Sequence, residues 1–234
     1  MKIAIMGAMP EEIEPILERL DKYEKVEYAK NIYYKGHYKS LEVVVAYSKI
    51  GKVFSALTAT TMLEIFACDM LLFTGVAGAV NPDLKIGDLV VATKLAQHDL
   101  DITIFGHPHG FVPGGSVYVE SDRDLRALSK IVATKMDIEL HEGIIATGDQ
   151  FIASEERKEF IAKTFNADAL EMEGASVAVV CDALSVPFFI LRSISDAADM
   201  DAGFNFEEFV ESSAKISAEF LMKMLDELIK RLSI

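Results

Sequence analysis

Short, strongly apolar runs alternate with helix-patterned segments along the whole chain, and this alternation limits the possible folds more than any other feature. Residues 2–6, 70–73, 88–92, 144–147, 169–172 and 187–194 read as strands, and 33–37 with 41–47 as a hairpin turning at Lys39-Ser40. Helical patterns fall between them. Pro10-Glu11-Glu12 opens the first, since Pro is tolerated in a first turn and acids favour the positive N-terminal end; Ile13, Ile16, Leu17 and Leu20 form its apolar face. The others span 51–66, with Val53, Leu57, Thr60, Thr61 and Leu63 expected inward, then 124–136, 155–164, 174–184 and 205–234. Strands that are apolar on both faces must be covered on both faces. No repeat or low-complexity linker interrupts the pattern. The expected architecture is a single α/β domain over residues 1–234, a three-layer α/β/α sandwich around a central mixed, twisted sheet. Residues 97–115, rich in His, Pro and Gly, break the rhythm; structureless loops this long are usually functional or disordered.

The 234 residues suit one large domain at a soft prior of ~150 residues each. A chain of this size buries roughly 70–75% of its unfolded surface and needs no disulfide or metal staple. Hydrophobic residues make up 51% and charged residues 26%, which excludes disorder for the bulk of the chain. Mean hydropathy is +0.25, in keeping with a large core or an extensive subunit interface. The net charge of −14 repels phosphate backbones. The richest basic stretch, Lys223 to Arg231, contains Asp226 and Glu227 and reads as the solvated face of the last helix, so a nucleic-acid partner is not expected. Cys68 and Cys181 sit in apolar contexts and read as buried thiols, and no Cys/His cluster has zinc spacing. No apolar run approaches ~18 residues, so no membrane span is expected. The first seven residues are too short an apolar run for a secretory leader, and the expected location is the cytoplasm.

Four motifs carry polar groups where strands end. Gly7-Ala8-Met9-Pro10 begins like a dinucleotide fingerprint but places Met9 and Glu12 where glycines are needed. Taken alone, Glu12 is an ordinary first-turn acid, yet the pair Glu11-Glu12 frees one of the two for other work. Thr74-Gly75-Val76-Ala77-Gly78 reads as a Gly-rich turn after a buried strand, and its lack of Lys or Arg equips it poorly for a phosphate dianion. Glu171 and Glu173 lie two apart at an apolar strand–helix junction and share a face if the strand continues. A structural ion pair accounts for one of them; two point to a site. Arg192-Ser193-Ile194-Ser195-Asp196 closes a very apolar strand, where open α/β sheets place their chemistry. Asp199 and Asp201 are free to serve as the following helix cap, which leaves Asp196 for other work.

Seven motifs in order resemble the 5′-methylthioadenosine/S-adenosylhomocysteine nucleosidases of the purine nucleoside phosphorylase superfamily. They are Gly7-Ala8-Met9-x-Glu11-Glu12, Ser48-x-Ile50-Gly51-Lys52-Val53, Thr74-Gly75-x-Ala77-Gly78, Gly148-Asp149-x-Phe151-Ile152, Glu171-Met172-Glu173-Gly174-Ala175, Arg192-x-Ile194-Ser195-Asp196 and Phe206-x-x-Phe209. The chain departs at Val76, where many family members have Ser, which removes one hydroxyl near the site. The resemblance implies a nucleoside phosphorylase-like fold, an adenine nucleoside as small-molecule partner, and no cofactor or metal. It implies hydrolysis of methylthioadenosine and S-adenosylhomocysteine in methionine salvage, and permits 5′-deoxyadenosine and 6-amino-6-deoxyfutalosine, the last in menaquinone biosynthesis.

By the same resemblance Glu12 activates water, and Asp196, held by Ser195, is the acid at adenine N7; its apolar strand should raise its pKa. Glu173 and the Met172 backbone take the ribose hydroxyls, and the negative charge of Glu173 favours the developing cation. Arg192 supports the carboxylates or pairs with Glu171. Phe151 stacks on the base, the Ile152 backbone reads its edge, and Gly78 lets the chain approach it closely. Met9, Ile50 and Phe206 wall the ribose and the 5′ group. Methionine suits a thioether, although most of the ten Met are simply core. Phe105 and Pro113 match positions that complete a neighbour's 5′ pocket, which implies a homodimer through the 97–115 loop. His107 and His109, at i and i+2, lack a third metal ligand and are left for the 5′ substituent. Two alternatives stay open here: phosphorolysis, to which Lys49 and Lys52 lend some weight, and a non-catalytic adenine-nucleoside sensor, which has no reason to keep Glu12.

Overall fold

Residues Lys2–Gly7 form the first strand, β1, and set the plan of the molecule. Ile3 and Ile5 enter one apolar core while Ala4 and Met6 enter another, because successive strand side chains point to opposite faces. The computed structural model describes residues 1–198 and 202–232. After β1 come α1 (Pro10–Leu17), β2 (Tyr23–Tyr28), β3 (Asn31–Tyr38), β4 (Leu41–Tyr47), α2 (Lys52–Thr60), β5 (Met70–Ala79), β6 (Leu89–Gln97), β7 (Tyr118–Glu120) and α3 (Arg123–Met136). β8 (Leu140–Thr147), α4 (Glu155–Phe165), β9 (Ala169–Glu171), α5 (Gly174–Leu184), β10 (Phe188–Asp196) and α6 (Ala202–Leu232) complete the chain.

The strands form one mixed sheet in the order β10-β6-β8-β9-β5-β1-β4-β3-β2, with β7 on β6. β10 also pairs with β5, so β5, β10, β6, β8 and β9 close on themselves while β1, β4, β3 and β2 extend as an open wing. Helices α1, α3 and α6 cover the Ile3 face, to which α6 brings Leu221, Met224 and Leu225. α2 and α5 cover the other, with Ala59, Val177 and Cys181 inside. The mixed α/β architecture is the one expected, and both cysteines are buried free thiols.

Several local expectations are corrected. The segment Thr74 to Gly78 is not a turn: β5 continues to Ala79 and its register with β10 runs as far as Gly78. β2 was not foreseen, since its residues are almost all exposed and carry Glu24, Lys25 and Glu27. In α2, Val53, Leu57 and Thr60 face outward, whereas Ser55, Thr58 and Ala59 face in; Thr61 and Leu63, in a short π-helical turn after it, are buried as expected. The helix has two stripes at helical spacing. The small one is buried because it lets α2 approach α5 closely, with Ser55 and Ser176 hydroxyls 2.6 Å apart. The 97–115 loop holds one 3-10 turn at Thr103–Phe105. Asp199 and Asp201, and positions 233–234 of the last helix, lie outside the described residues. Among the described residues no helix is long and apolar enough to cross a membrane.

Candidate active site

Glu12 is both the helix-start acid that its position suggests and a buried pocket group. It stands at the third position of α1 and closes a capping box with Met9. Its Oε2 accepts from the amides of Ala8 (2.5 Å) and Met9 (3.1 Å), and its Oε1 from the amide of Val76 on β5 (3.0 Å). Burial lifts its pKa above the ordinary range; the Arg192 charge and the three amides oppose this but do not cancel it. The glycine beside it is obligatory: a Cβ on Gly75 would lie 2.5 Å from Glu12 Oε1.

Asp196 is aimed by a bulge. Ile194 pairs with Ala77 and Asp196 with Gly78, so Ser195 is an extra residue in β10. Such an insertion bends the strand and redirects a side chain. Ser195 Oγ donates to Asp196 Oδ2 (2.9 Å), and the Ala198 amide donates to Oδ1 (2.9 Å). Gly78 makes room for this acid, because a Cβ there would come within 2.6 Å of Asp196 Oδ1.

The two glutamates at the end of β9 and just after it do not share a strand face. β9 ends at Glu171, and Glu173 is the N-cap of α5 with φ −134° and ψ −39°. Glu171 turns back to the Thr147 hydroxyl, to the amides of Glu173 (3.1 Å) and Gly174 (2.7 Å), and to Arg192 (2.7 Å). Glu173 instead reaches across to the Gly51 amide (2.7 Å). Burial, with the neighbouring Glu171 charge, pushes the Glu173 carboxyl up to about 8 against the pull of Gly51 and Arg192. Arg192 is 1% exposed and lies 4.0 Å from the Phe73 ring centroid. It does not line the cavity; it pairs with Glu171, which is the structural ion pair expected as one of its two readings. Glu12, Glu173 and Asp196 surround one open-mouthed cavity, a concave place of the kind that takes a small ligand.

Comparison with known proteins gives this geometry a family. Residues 2–230 match the phosphorylase superfamily. The chain belongs to that superfamily. An aminodeoxyfutalosine nucleosidase of Campylobacter jejuni is 60% identical over 228 residues, 97% of this chain and 100% of that one. A 5′-methylthioadenosine/S-adenosylhomocysteine nucleosidase of Actinobacillus succinogenes is 40% identical over 229 residues, 97% of this chain and 100% of its own. One solved structure of a Helicobacter pylori nucleosidase of the latter name holds a pyrrolidinol bearing an aminopyrrolopyrimidine and a propynylthio arm. It is 53% identical, has a TM-score of 0.95, and is matched over 97% of this chain and 98% of its own.

Against this superfamily background, the residues singled out from the sequence fall into two groups. Met9, Glu12, Ile50, Gly78, Phe151, Ile152, Met172, Glu173, Ser195, Asp196 and Phe206 all line the cavity. Phe151 and Phe206 meet edge to face at 5.7 Å. Phe105 and Pro113 do not line this chain's own cavity; both are exposed on the loop. His107 stacks on Phe111 and His109 meets Phe160 edge-on, and neither lines the cavity. Sequence reasoning missed Gln150, Leu170 and Ala198 as lining residues. Gln150 was the unspecified position in a motif already quoted, and that adjacency was the available signal. Lys49 and Lys52 do not line the cavity either: Lys49 Nζ donates to the Lys30 carbonyl (3.1 Å) and Lys52 pairs with Asp99 (2.6 Å).

Proposed function

We propose that this chain, acting as one unit over residues 1–234, hydrolyses the N-glycosidic bond of adenine nucleosides modified at the 5′ position. The observation that carries this is the convergence of Glu12, Glu173 and Asp196 on one cavity with Phe151 and Ile152 along its side. Paired carboxylates answer the demands of an oxocarbenium-like transition state. Asp196, kept in place by Ser195, gives a proton to adenine N7 as the C1′–N9 bond breaks. Glu12, with its pKa raised, takes a proton from the water that attacks C1′; a base lifted toward the working pH suits that task. Glu173 accepts from the ribose hydroxyls beside Met172, and the developing cation draws it toward the anion. Met9, Ile50 and Phe206 face the sugar and its 5′ arm.

The 60% identical relative is an aminodeoxyfutalosine nucleosidase, so 6-amino-6-deoxyfutalosine is the first substrate to try, and menaquinone biosynthesis the pathway it would serve. Methylthioadenosine and S-adenosylhomocysteine, handled by the 40% identical relative, come next, with methionine salvage. Water is preferred to phosphate as the nucleophile because Lys52 and Arg192 are each spent on a carboxylate, Asp99 and Glu171. A homodimer in the cytoplasm completes the reading. Val53 (76% exposed), Ile104 (88%) and Phe105 (76%) are apolar groups that a second copy would cover, with Phe105 and Pro113 closing the neighbour's 5′ pocket. The test is adenine release from these nucleosides without and with phosphate. Release in phosphate-free buffer, giving the free sugar, is the expected result; release only with phosphate, giving a sugar 1-phosphate, overturns the hydrolase, and tight binding without release points to a sensor.

A further inference from the structure

Glu173 leans on a helix start that is itself tied down. The Gly51 amide that holds its carboxylate belongs to the N-cap of α2, at φ +100°, a backbone conformation that suits glycine. The next residue, Lys52, is fixed at both ends. Its amide donates to Asp149 Oδ1 (2.8 Å), and its Nζ donates to Asp99 Oδ1 (2.6 Å) and Gln97 Oε1 (3.2 Å). The second oxygen of Asp99 accepts from the Asp149 amide (2.8 Å). Three residues from distant parts of the chain thus close a ring of bonds. The ring joins the end of β6, the start of α2 and the turn after β8.

That ring ties together two parts of the cavity wall. On one side it carries Gly51 and so Glu173; on the other, Asp149 leads directly into Gln150, Phe151 and Ile152, all of which line the cavity. The Lys52 and Asp99 side chains are only 18% and 17% exposed, so solvent screens this pair less than an ordinary surface bridge. Burial pushes Asp99 upward, but the Lys52 ammonium and the Asp149 amide outweigh it and keep the carboxyl below its ordinary value. None of the three residues lines the cavity.

We propose that Lys52, Asp99 and Asp149 are positioning residues that set the separation between the ribose-holding carboxylate and the wall that takes the base. The proposal rests on the nucleosidase reading above. Misplacing a reacting group by about 1 Å costs roughly 100-fold in rate. Lys52→Met keeps the aliphatic stem and cuts the ring. It is expected to lower kcat by roughly 10- to 100-fold, while affinity for free adenine, which needs only the base wall, changes less than about twofold. It should also flatten discrimination between a substrate and its 3′-deoxy analogue, because Glu173 is no longer aimed. Lys52→Arg restores a cation facing Asp99 and should recover most of the discrimination. Asp149→Ala, at an exposed position, repeats the cut should Lys52→Met not fold. A kcat within twofold of wild type, or an unchanged penalty for the 3′-deoxy analogue, overturns the proposal. Failure of the nucleosidase reading itself shows differently, as wild-type protein that releases no adenine from any nucleoside.

Discussion

The inner and outer halves of the cavity are built on opposite principles. Inside, Glu12, Glu171, Glu173 and Asp196 are buried, and each is held by backbone amides from its own or another element. At the mouth, Ile50 is 56% exposed and Phe151 49%. The interior uses hydrogen bonds to fix its carboxyl groups in place, as preorganised electrostatic catalysis requires. The mouth is apolar and open, and apolar surface offers fit rather than orientation. Under the proposed function, bond breaking belongs to the interior of a single chain and selection among 5′ groups to a rim that a second copy would complete. Substitutions inside should change the rate for every substrate, and those outside should re-rank substrates.

The strongest test of this division is Glu12→Gln. The amide keeps the shape and can still accept from Val76, but it cannot take a proton from water. General-base catalysis is worth about 10²–10⁴-fold, and kcat should fall by that much for every nucleoside tried. Binding should be largely kept. Single-turnover adenine release together with a direct binding titration separates the two. A loss confined to substrates with long 5′ arms would break the comparison. Asp196→Asn should behave alike with adenine as leaving group.

Gly78→Ala probes the same interior without replacing a titratable group. The new methyl would lie 2.6 Å from Asp196 Oδ1 and 3.1 Å from Ala198 Cβ, so the acid must move. Displacement on that scale costs roughly 100-fold in kcat, with overpacking of about 1–3 kcal/mol in stability. The variant should retain its fold in circular dichroism while losing rate on all substrates alike. Wild-type kcat would mean that Asp196 is not the group whose placement limits the rate.

These interior residues were only partly legible in the sequence. Strongly apolar strands such as β10 and the capped helix α3 read well because burial on both faces or a regular apolar stripe dominates their composition. The Gly-rich stretch of β5 did not, since glycine marks turns far more often than close approach of a strand to a carboxylate. The bulge at Ser195 and the turn of Glu173 out of β9 depend on neighbouring strands and helices that local spacing does not encode. β2 lacks an apolar face, and α2 hides its small stripe while showing its apolar one. The carboxylates themselves were legible because charge in an apolar run demands an explanation; their partners, Gly51 and Thr147, carry no such mark.

Burial of Glu173 also gives a pH signature. Its carboxyl ionises near 4.5 when unfolded and at about 8 when folded. The folded state therefore keeps a proton that the unfolded state has lost, and this group's contribution is present below pH 4.5 and lost as pH rises through 8. Urea midpoints should decline between pH 5.5 and 8.5, and Glu173→Gln, neutral throughout, should flatten that decline. Glu12 shifts in the same direction and remains in the variant, so some slope persists. An unaltered slope would show that Glu173 is already ionised inside the cavity.

The smallest effect is expected at the rim, and it is the one that defines the rim. Phe105 is 76% exposed on the loop, and in a homodimer it would cover the neighbour's 5′ pocket. Such a contact with a long 5′ arm would be apolar and partial, worth about 1–2 kcal/mol of burial. Phe105→Ala should therefore lower kcat/KM by roughly 5- to 20-fold for a substrate with a long 5′ arm and by less than about twofold for 5′-deoxyadenosine, whose arm ends at a methyl group. Sedimentation must show an unchanged oligomer, since dissociation would strip the rim of its other contacts too. A uniform loss on both substrates would move Phe105 into the interior machinery. No loss on either would remove the loop from substrate selection and leave the exposed apolar face of α2, with Val53 at 76% exposure, as the principal reason for a second copy to bind.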